Sequence, residues 1–472
     1  MANYITDEQK ARQREFLEKL RKHSEDFYKE NLRRPRCNTE TYGCQQNEND
    51  TERIRGILRE AGYEFCEKAE DADLVIYNTC AVRENAEDKV YGRLGILRHI
   101  KEQNPGLVIG LCGCMVQQEG MAEKLLKVHD HIDLIFGPHA LYKLPELLLT
   151  ALENRKKTVT DVENSNGSIC EDIPIERDSD DKAWVSIMYG CNNFCSYCIV
   201  PYVRGRERSR TPEKILAEIK ELVKGGVSEI CLLGQNVNSY GKDLDGECDF
   251  SDLLRMVNAV EGVKRIRFMT SHPKDFGEKL IKAMTECEKV CPQLHLPFQA
   301  GNNRVLAEMN RKYTKEEYLE KIAAVKAAIP GIALSTDVIV GFPTETNEDF
   351  EDTLDVLKKV EFDTIFSFIY SRREGTPAAK LDFVLTKDEI HKNFERLLEV
   401  QNAISRRKNE AYVGRTCQVL VDGVSKNNEK MLSGRTDTGK IVNFAGDKAL
   451  AGKYINVKVT EAHTWSLNGK IE

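Results

Sequence analysis

From residue 35 to residue 370 the chain alternates short apolar runs with stretches of helical length. That alternation admits few folds besides parallel sheets covered by helices. The first series has four strand–helix units. Its apolar runs include Asp73–Asn78, Leu107–Leu111 and Ile132–Phe136, and helices are expected over Asn49–Ala61, Glu84–Lys101, Gln117–Lys127 and Tyr142–Leu152. This pattern predicts a doubly wound α/β domain over 34–152. A polar, acidic stretch containing Asn-Ser-Asn-Gly, over 153–180, reads as a linker. The second series has strands expected at Trp184–Met188, Glu229–Leu233, Lys264–Thr270, Gln293–Leu296, Leu334–Val340 and Thr364–Tyr370. Six such units over 181–407 predict an α/β architecture closing toward a partial (β/α)6 barrel, with its chemistry at the carboxyl ends of the strands. Beyond Arg407, β-like runs at Thr416–Asp422, Ile441–Phe444 and Tyr454–Thr460 alternate with Gly, Asn and Asp turns. They predict a small all-β, OB-like barrel over 409–472. Residues 1–33 read as a charged helical extension with a thin apolar stripe of Leu17, Leu20 and Phe27.

No apolar run approaches the ~20 residues that span a bilayer, and the Lys- and Glu-rich start is no signal peptide. The chain is therefore expected to be cytoplasmic, without a membrane partner. In a reducing compartment its 15 cysteines are ligands, reactive thiols or buried apolar groups rather than a disulfide framework. A net charge of −7 argues against a nucleic-acid binder that uses its whole surface, but leaves room for a local basic site.

The densest cysteine group is Cys191, Cys195 and Cys198, spaced C-x3-C-x2-C directly after the first strand of the second series. Three thiolates on one loop can hold three irons of a [4Fe–4S] cluster and leave the fourth open to a small molecule. A structural zinc site would need a fourth ligand nearby, and the ferredoxin run has a different spacing. Three unrelated buried thiols are the remaining alternative. A second trio, Cys44, Cys80 and Cys114, recurs at intervals of 36 and 34 residues, about one strand–helix unit each. Cysteines at successive strand ends of a parallel sheet can converge beyond its carboxyl edge. Three separate core thiols would give the same spacing, and Cys112 competes with Cys114 for the third place.

The C-x3-C-x2-C loop after the first strand of a βα series resembles the radical S-adenosylmethionine enzymes. Together with the second trio, the segments Thr41–Gln45, Asn78–Glu84, Gly113–Met115 and Cys191–Arg210 resemble the methylthiotransferase family, in particular its branch acting on N6-isopentenyladenosine in tRNA, beside the anticodon. The resemblance covers residues 35–470. It implies two [4Fe–4S] clusters, one on each trio, and S-adenosylmethionine both as methyl donor and as source of a 5′-deoxyadenosyl radical. It implies that the six cysteines are both metal ligands and catalytic. It also implies that Gln235, Asn236, Ser271, Gln299 and Arg373, at later strand ends, contact the cofactor. The implied partners are the anticodon arm of a tRNA and an external electron donor such as flavodoxin or ferredoxin, with the enzyme acting as a monomer. Gln46, where the family usually has Met, and Arg372 and Glu374, where it has proline, depart from the pattern. Methylthiolation of threonylcarbamoyl-adenosine, or of an aspartate of a ribosomal protein, is the nearest alternative. A non-catalytic iron–sulfur electron carrier or RNA sensor is the alternative of another class.

Arg204, Arg206, Arg208 and Arg210 fall within eight residues just past the first trio, and are expected to neutralise RNA phosphates at the mouth of the site. The terminal barrel resembles the TRAM domain. Arg415, Arg435, Lys440, Phe444 and Trp465 are its candidate phosphate and stacking residues, though Phe444 suits the barrel interior better. The His129-Asp130-His131 run and the Cys287/Cys291 pair lack further ligands and read as ordinary structure.

Overall fold

The computed structural model describes residues 4–81, 84–162, 167–426 and 428–472, with backbone alone over 84–86. Val82 and Arg83 of the Cys80 motif, and Asn164–Asn166 of the expected linker, lie outside the described residues.

The extension forms α1 (Asp7–Asn31), started by a capping box in which Thr6 and Gln9 bond reciprocally. Leu20 is buried and Phe16 and Leu17 half-buried against the first domain. That domain carries strands β1 (Arg36–Tyr42), β2 (Glu64–Phe65), β3 (Leu74–Thr79), β4 (Val108–Gly113), β5 (Leu134–Phe136) and β6 (Val159–Asp161). They form one parallel sheet in the order β2-β1-β3-β4-β5-β6. β3 and β4 are buried along their whole length, as strands covered on both faces must be. One face packs on α1, α2 (Gln45–Glu60) and the helix Leu144–Glu153; the other packs on the helices Glu84–Gln103 and Met121–Val128. β6 adds a sixth strand from inside the stretch read as a linker. The described residues of that stretch from 167 on are pinned: Ile169 bridges to Tyr4, and Glu171 pairs with Arg210.

The second series contributes β7 (Lys182–Ser186), a ribbon of β8 (Met188–Tyr189) and β9 (Arg208–Ser209), then β10 (Glu229–Leu233), β11 (Arg265–Phe268), β12 (Gln293–His295), β13 (Ala333–Val340) and β14 (Thr364–Ile369). The parallel sheets β7-β10-β11 and β12-β13-β14 are joined where Ile266 bridges to Val290. The six strands thus follow sequence order around a partial barrel, enclosing the largest apolar core of the molecule. The terminal unit is a closed five-stranded barrel of β15 (Thr416–Ser425), β16 (Asn428–Thr436), β17 (Ile441–Phe444), β18 (Tyr454–Ala462) and β19 (Leu467–Ile471). It docks on the starting ends of the core strands. Arg265 and Arg267 donate to the carbonyls of Arg435, Gln418, Asp437 and Thr436, and Lys182 pairs with Asp422. No described helix is long and apolar enough to cross a membrane.

Candidate active site

The second trio is placed by strand register. Tyr42, Thr79 and Gly113 stand opposite one another on β1, β3 and β4, which are adjacent in the sheet. Cys44, Cys80 and Cys114 follow these residues by two, one and one positions, so all three leave the same carboxyl edge where strands lie about 4.8 Å apart. Gly113 has φ +99, and a Cβ there would sit 2.4 Å from the Thr79 carbonyl oxygen, so the turn that presents Cys114 requires glycine. Asn47 fixes the other end. Its Oδ1 accepts from the Cys44 thiol at 3.3 Å while its Nδ2 donates to Asn78 at 3.0 Å. A hydrogen bond from the Cys80 thiol and the charge of Arg204 bring the Cys44 thiol down to about 6, against the opposing effect of burial. Cys112 lies within β4 in the apolar core, and burial raises its thiol well above the ordinary range.

The first trio occupies the loop between β8 and the short helix Val200–Arg204. Gly190, at φ +77, begins it, and Phe194 adopts a left-handed backbone at φ +47. The loop is anchored by Ser196, whose Oγ donates to the Glu308 carbonyl at 2.7 Å, and by Asn310, which donates to the carbonyls of Asn193 and Phe194. Burial pushes Cys191 up to about 12 and Cys198 further still, and each is influenced by its neighbouring thiols. Each trio has one buried guanidinium at a sulfur. Arg311 Nη1 lies 3.7 Å from Cys195 Sγ, and Arg204 Nε lies 3.1 Å from Cys114 Sγ. Arg204 also pairs with Asp50 at 2.7 Å.

Two contacts tie the trios together. Arg204 ends the short helix that follows the first trio's loop but reaches the second trio. Gln46, next to Cys44, meets Gln235 at 3.5 Å, and Gln235 Oε1 accepts from Gly190 N at 2.5 Å. Of the expected cofactor contacts, Gln235 is thus committed to positioning the cysteine loop. Asn236 donates to Asp275 and keeps a buried, unpartnered Oδ1. Ser271 Oγ is buried without a partner among the described residues, as are His272 Nε2 and Tyr370 OH. Gln299 is buried at φ +68, bridging to β13 through its backbone. Arg373 is buried 3.5 Å from Glu87 of the first domain. Among the described residues no three His, Cys, Asp or Glu side chains close around a single-ion position. Uncrosslinked thiols in two trios, guanidiniums at their sulfurs, and orphaned polar atoms at the same strand ends suit anionic iron–sulfur chemistry and a polar cofactor.

The arginine run is corrected in three of its four members. Arg204 is consumed by Cys114 and Asp50. Arg208 donates to the carbonyls of Arg204 and Arg206, and Arg210 pairs with Glu171 and Glu218. All three are buried, so none reaches a phosphate. Arg206 alone is exposed, 4.3 Å above the Phe194 ring. In the terminal barrel Lys440 is buried against Asp363 and Phe444 fills the interior. Arg415, Arg435 and Trp465 face outward. Arg311 and Asp50 were not legible as site residues, because nothing in their local sequence marks them; only the fold brings them to the thiols and to Arg204.

Comparison with known proteins agrees with this division. The radical SAM superfamily matches residues 185–357, the uncharacterized protein family UPF0004 matches 36–137, and the TRAM domain matches 410–471. The tRNA-2-methylthio-N(6)-dimethylallyladenosine synthase of Acetivibrio thermocellus is 53% identical over 99% of this chain and 97% of its own. That of Clostridioides difficile is 53% identical over 97% and 96%. Among solved structures, the radical S-adenosylmethionine methyltransferase TsrM from Kitasatospora setae, with cobalamin and a [4Fe–4S] cluster bound, has a TM-score of 0.53 at 13% identity. The match covers 73% of this chain and 77% of that one, a likeness of fold.

Proposed function

The chain belongs to the radical S-adenosylmethionine methylthiotransferases, and we propose that it places a methylthio group on C2 of N6-dimethylallyl (isopentenyl) adenosine, next to the anticodon of tRNA. The observation that carries this reading is the pair of thiol trios at neighbouring carboxyl edges, joined by the Arg204–Cys114 and Gln46–Gln235–Gly190 contacts. Cys191, Cys195 and Cys198 would hold one [4Fe–4S] cluster, and Cys44, Cys80 and Cys114 a second. Bound there, the clusters would relay an external electron and carry the sulfur, and two molecules of S-adenosylmethionine would supply the hydrogen-abstracting radical and the methyl of the new group.

The chain's own residues hold, orient and shield. Arg204 and Arg311 place positive charge beside sulfurs that become thiolate ligands, offsetting the cost of burying anionic groups. The orphaned atoms of Ser271, His272 and Asn236 await polar groups of a cofactor and orient it by hydrogen bonds. Burial of four of the six cysteines, Cys80, Cys114, Cys191 and Cys195, to below a tenth exposure would exclude water from a radical step; Cys44 and Cys198 keep more access. Hydrogen-atom abstraction needs no general base, and none is assigned. The reading also requires an external one-electron donor of flavodoxin or ferredoxin type, a monomeric enzyme and a cytoplasmic setting.

The test is anaerobic turnover of reconstituted protein on tRNA lacking the C2 group, with nucleosides analysed by mass. Cys191→Ala should abolish both 5′-deoxyadenosine and methylthio product. Cys44→Ala should abolish the product and leave 5′-deoxyadenosine formation. Product on threonylcarbamoyl-adenosine instead would reassign the substrate.

A further inference from the structure

Behind the second trio lies a small cavity of about 50 Å³, bounded by Asp50, Arg53, His139, Cys170, Arg204 and Arg208 among others. It shares Arg53, Tyr142, Cys170 and Ile173 with a wide surface groove of about 1380 Å³ between α1, α2 and the helix Pro212–Lys224. On its inner side it shares Arg204 with Cys114, at 3.1 Å. Arg53 therefore stands between solvent and the thiols.

Arg53 is the anomaly. It is 7% exposed, and its Nε is buried without a hydrogen-bond partner among the described residues. Its guanidinium lies 5.9 Å from the Tyr189 ring and feels the charges of Glu218 and Asp50 at a distance. No carboxylate among the described residues pairs with it. Asp50 is taken by Arg204 and Gln46, and Glu218 by Arg177 and Arg210. A buried arginine without a direct partner is stabilised further when an anion accompanies it. The other described walls carry no carboxylate. Burial and the nearby arginines bring His139 down to about 4, and burial pushes Cys170 up to about 11, so both are neutral near pH 7. Three guanidiniums thus face one carboxylate around a space suited to one small ion.

We propose that this cavity is a staging site for a small monovalent anion, anchored by Arg53, and that the anion in turnover is hydrosulfide on its way to the second trio. The assignment of hydrosulfide rests on the methylthiolation reading. The product gains a sulfur atom at each turnover, and the methyl group of S-adenosylmethionine does not bring it. Chloride shares the charge and size, so the test separates the two.

Crystals of reconstituted holoenzyme soaked in sodium bromide should show an anomalous peak beside Arg53. The peak should vanish in Arg53→Met and persist in Arg53→Lys. With sulfide as the varied substrate, Arg53→Met should lower kcat/KM for sulfide roughly tenfold, well beyond its effect on kcat, and Arg53→Lys should recover most of the loss. Bromide should raise the unfolding midpoint of the wild type and of Arg53→Lys more than that of Arg53→Met, which a purely packing role would not produce. A cavity holding only water at high bromide overturns the anion site. A bromide peak with unchanged kcat/KM for sulfide overturns the hydrosulfide assignment. The bromide arm needs no turnover, so its failure is distinct from failure of the methylthiolation reading. The latter would appear as no 2-methylthio product at any sulfide concentration, and would take the hydrosulfide assignment with it.

Discussion

A buried ion pair costs more to break than it contributes to make, because the surviving partner keeps its charge in a poor dielectric. Arg204 and Asp50 are both less than a tenth exposed and 2.7 Å apart. Arg204→Gln should therefore destabilise the metal-free protein by about 3–5 kcal/mol in urea unfolding, and Asp50→Asn comparably. The double variant should cost clearly less than the sum, which is the signature of direct coupling. Glu345 supplies the pH counterpart. Burial raises its carboxyl to about 8, against the Gly341 N–H that donates to it at 2.6 Å. Between the ordinary value of 4.5 and about 8 the folded chain holds a proton that the unfolded chain has released. Its contribution is fully present below the lower limit and is lost as pH rises through the window, on the order of 4 kcal/mol. Glu345→Gln should match the wild type near pH 4 and exceed its stability above about pH 8, as read by the unfolding midpoint across pH. At this scale the sequence was legible where spacing along the chain carries the information, as in the six cysteines. It was not legible for Arg204, whose run reads as a phosphate patch. Its true partner, Asp50, lies 154 residues away in the sequence and faces it only after folding.

Elements decide where those residues point. The β8–β9 ribbon and the cysteine loop close on Gly190, where a Cβ would lie 2.0 Å from the Arg206 carbonyl oxygen, at a φ that side chains avoid. Gly190→Ala should displace the Cys191–Cys198 loop and leave the Cys44 trio on its separate strands. Reconstituted protein should then carry about half the wild-type iron, by iron and sulfide analysis, with one cluster signal lost; full occupancy would refute the constraint. The buried core strands were legible in the sequence because burial on both faces leaves continuous apolar runs such as Ile230–Leu233. β2, β6, β9, β16 and β19 were missed. β16 reads Asn-Glu-Lys-Met-Leu-Ser-Gly-Arg-Thr, half exposed and broken by glycine, and is held as a strand by pairing on both sides with β15 and β17. Ladder hydrogen bonds, not periodicity, make it a strand.

Across the whole molecule the core strands impose a polarity. The terminal barrel grips their starting ends through Arg265, Arg267 and Lys182, whereas both thiol trios leave carboxyl ends. Core strands of three to eight residues separate these ends by roughly 10–26 Å. An RNA engaged by both must therefore lie along the side of the core, touching exposed Arg206 near the cysteine loop and exposed Arg435 on the barrel. Contacts so far apart share no partners, so their energies should add. Arg206→Glu and Arg435→Glu should each weaken tRNA binding and each lower the slope of log affinity against log salt by about one, as loss of one phosphate contact requires. The double variant should show the product of the two fold-changes in anisotropy titrations at several potassium chloride concentrations. Of the two, Arg206→Glu should also slow methylthio formation at saturating tRNA, since it sits beside the chemistry, while Arg435→Glu should act on affinity alone. An Arg435→Glu variant that binds tRNA with wild-type affinity and salt slope would mean that the RNA stays at the carboxyl end and never reaches the barrel's Arg435 face.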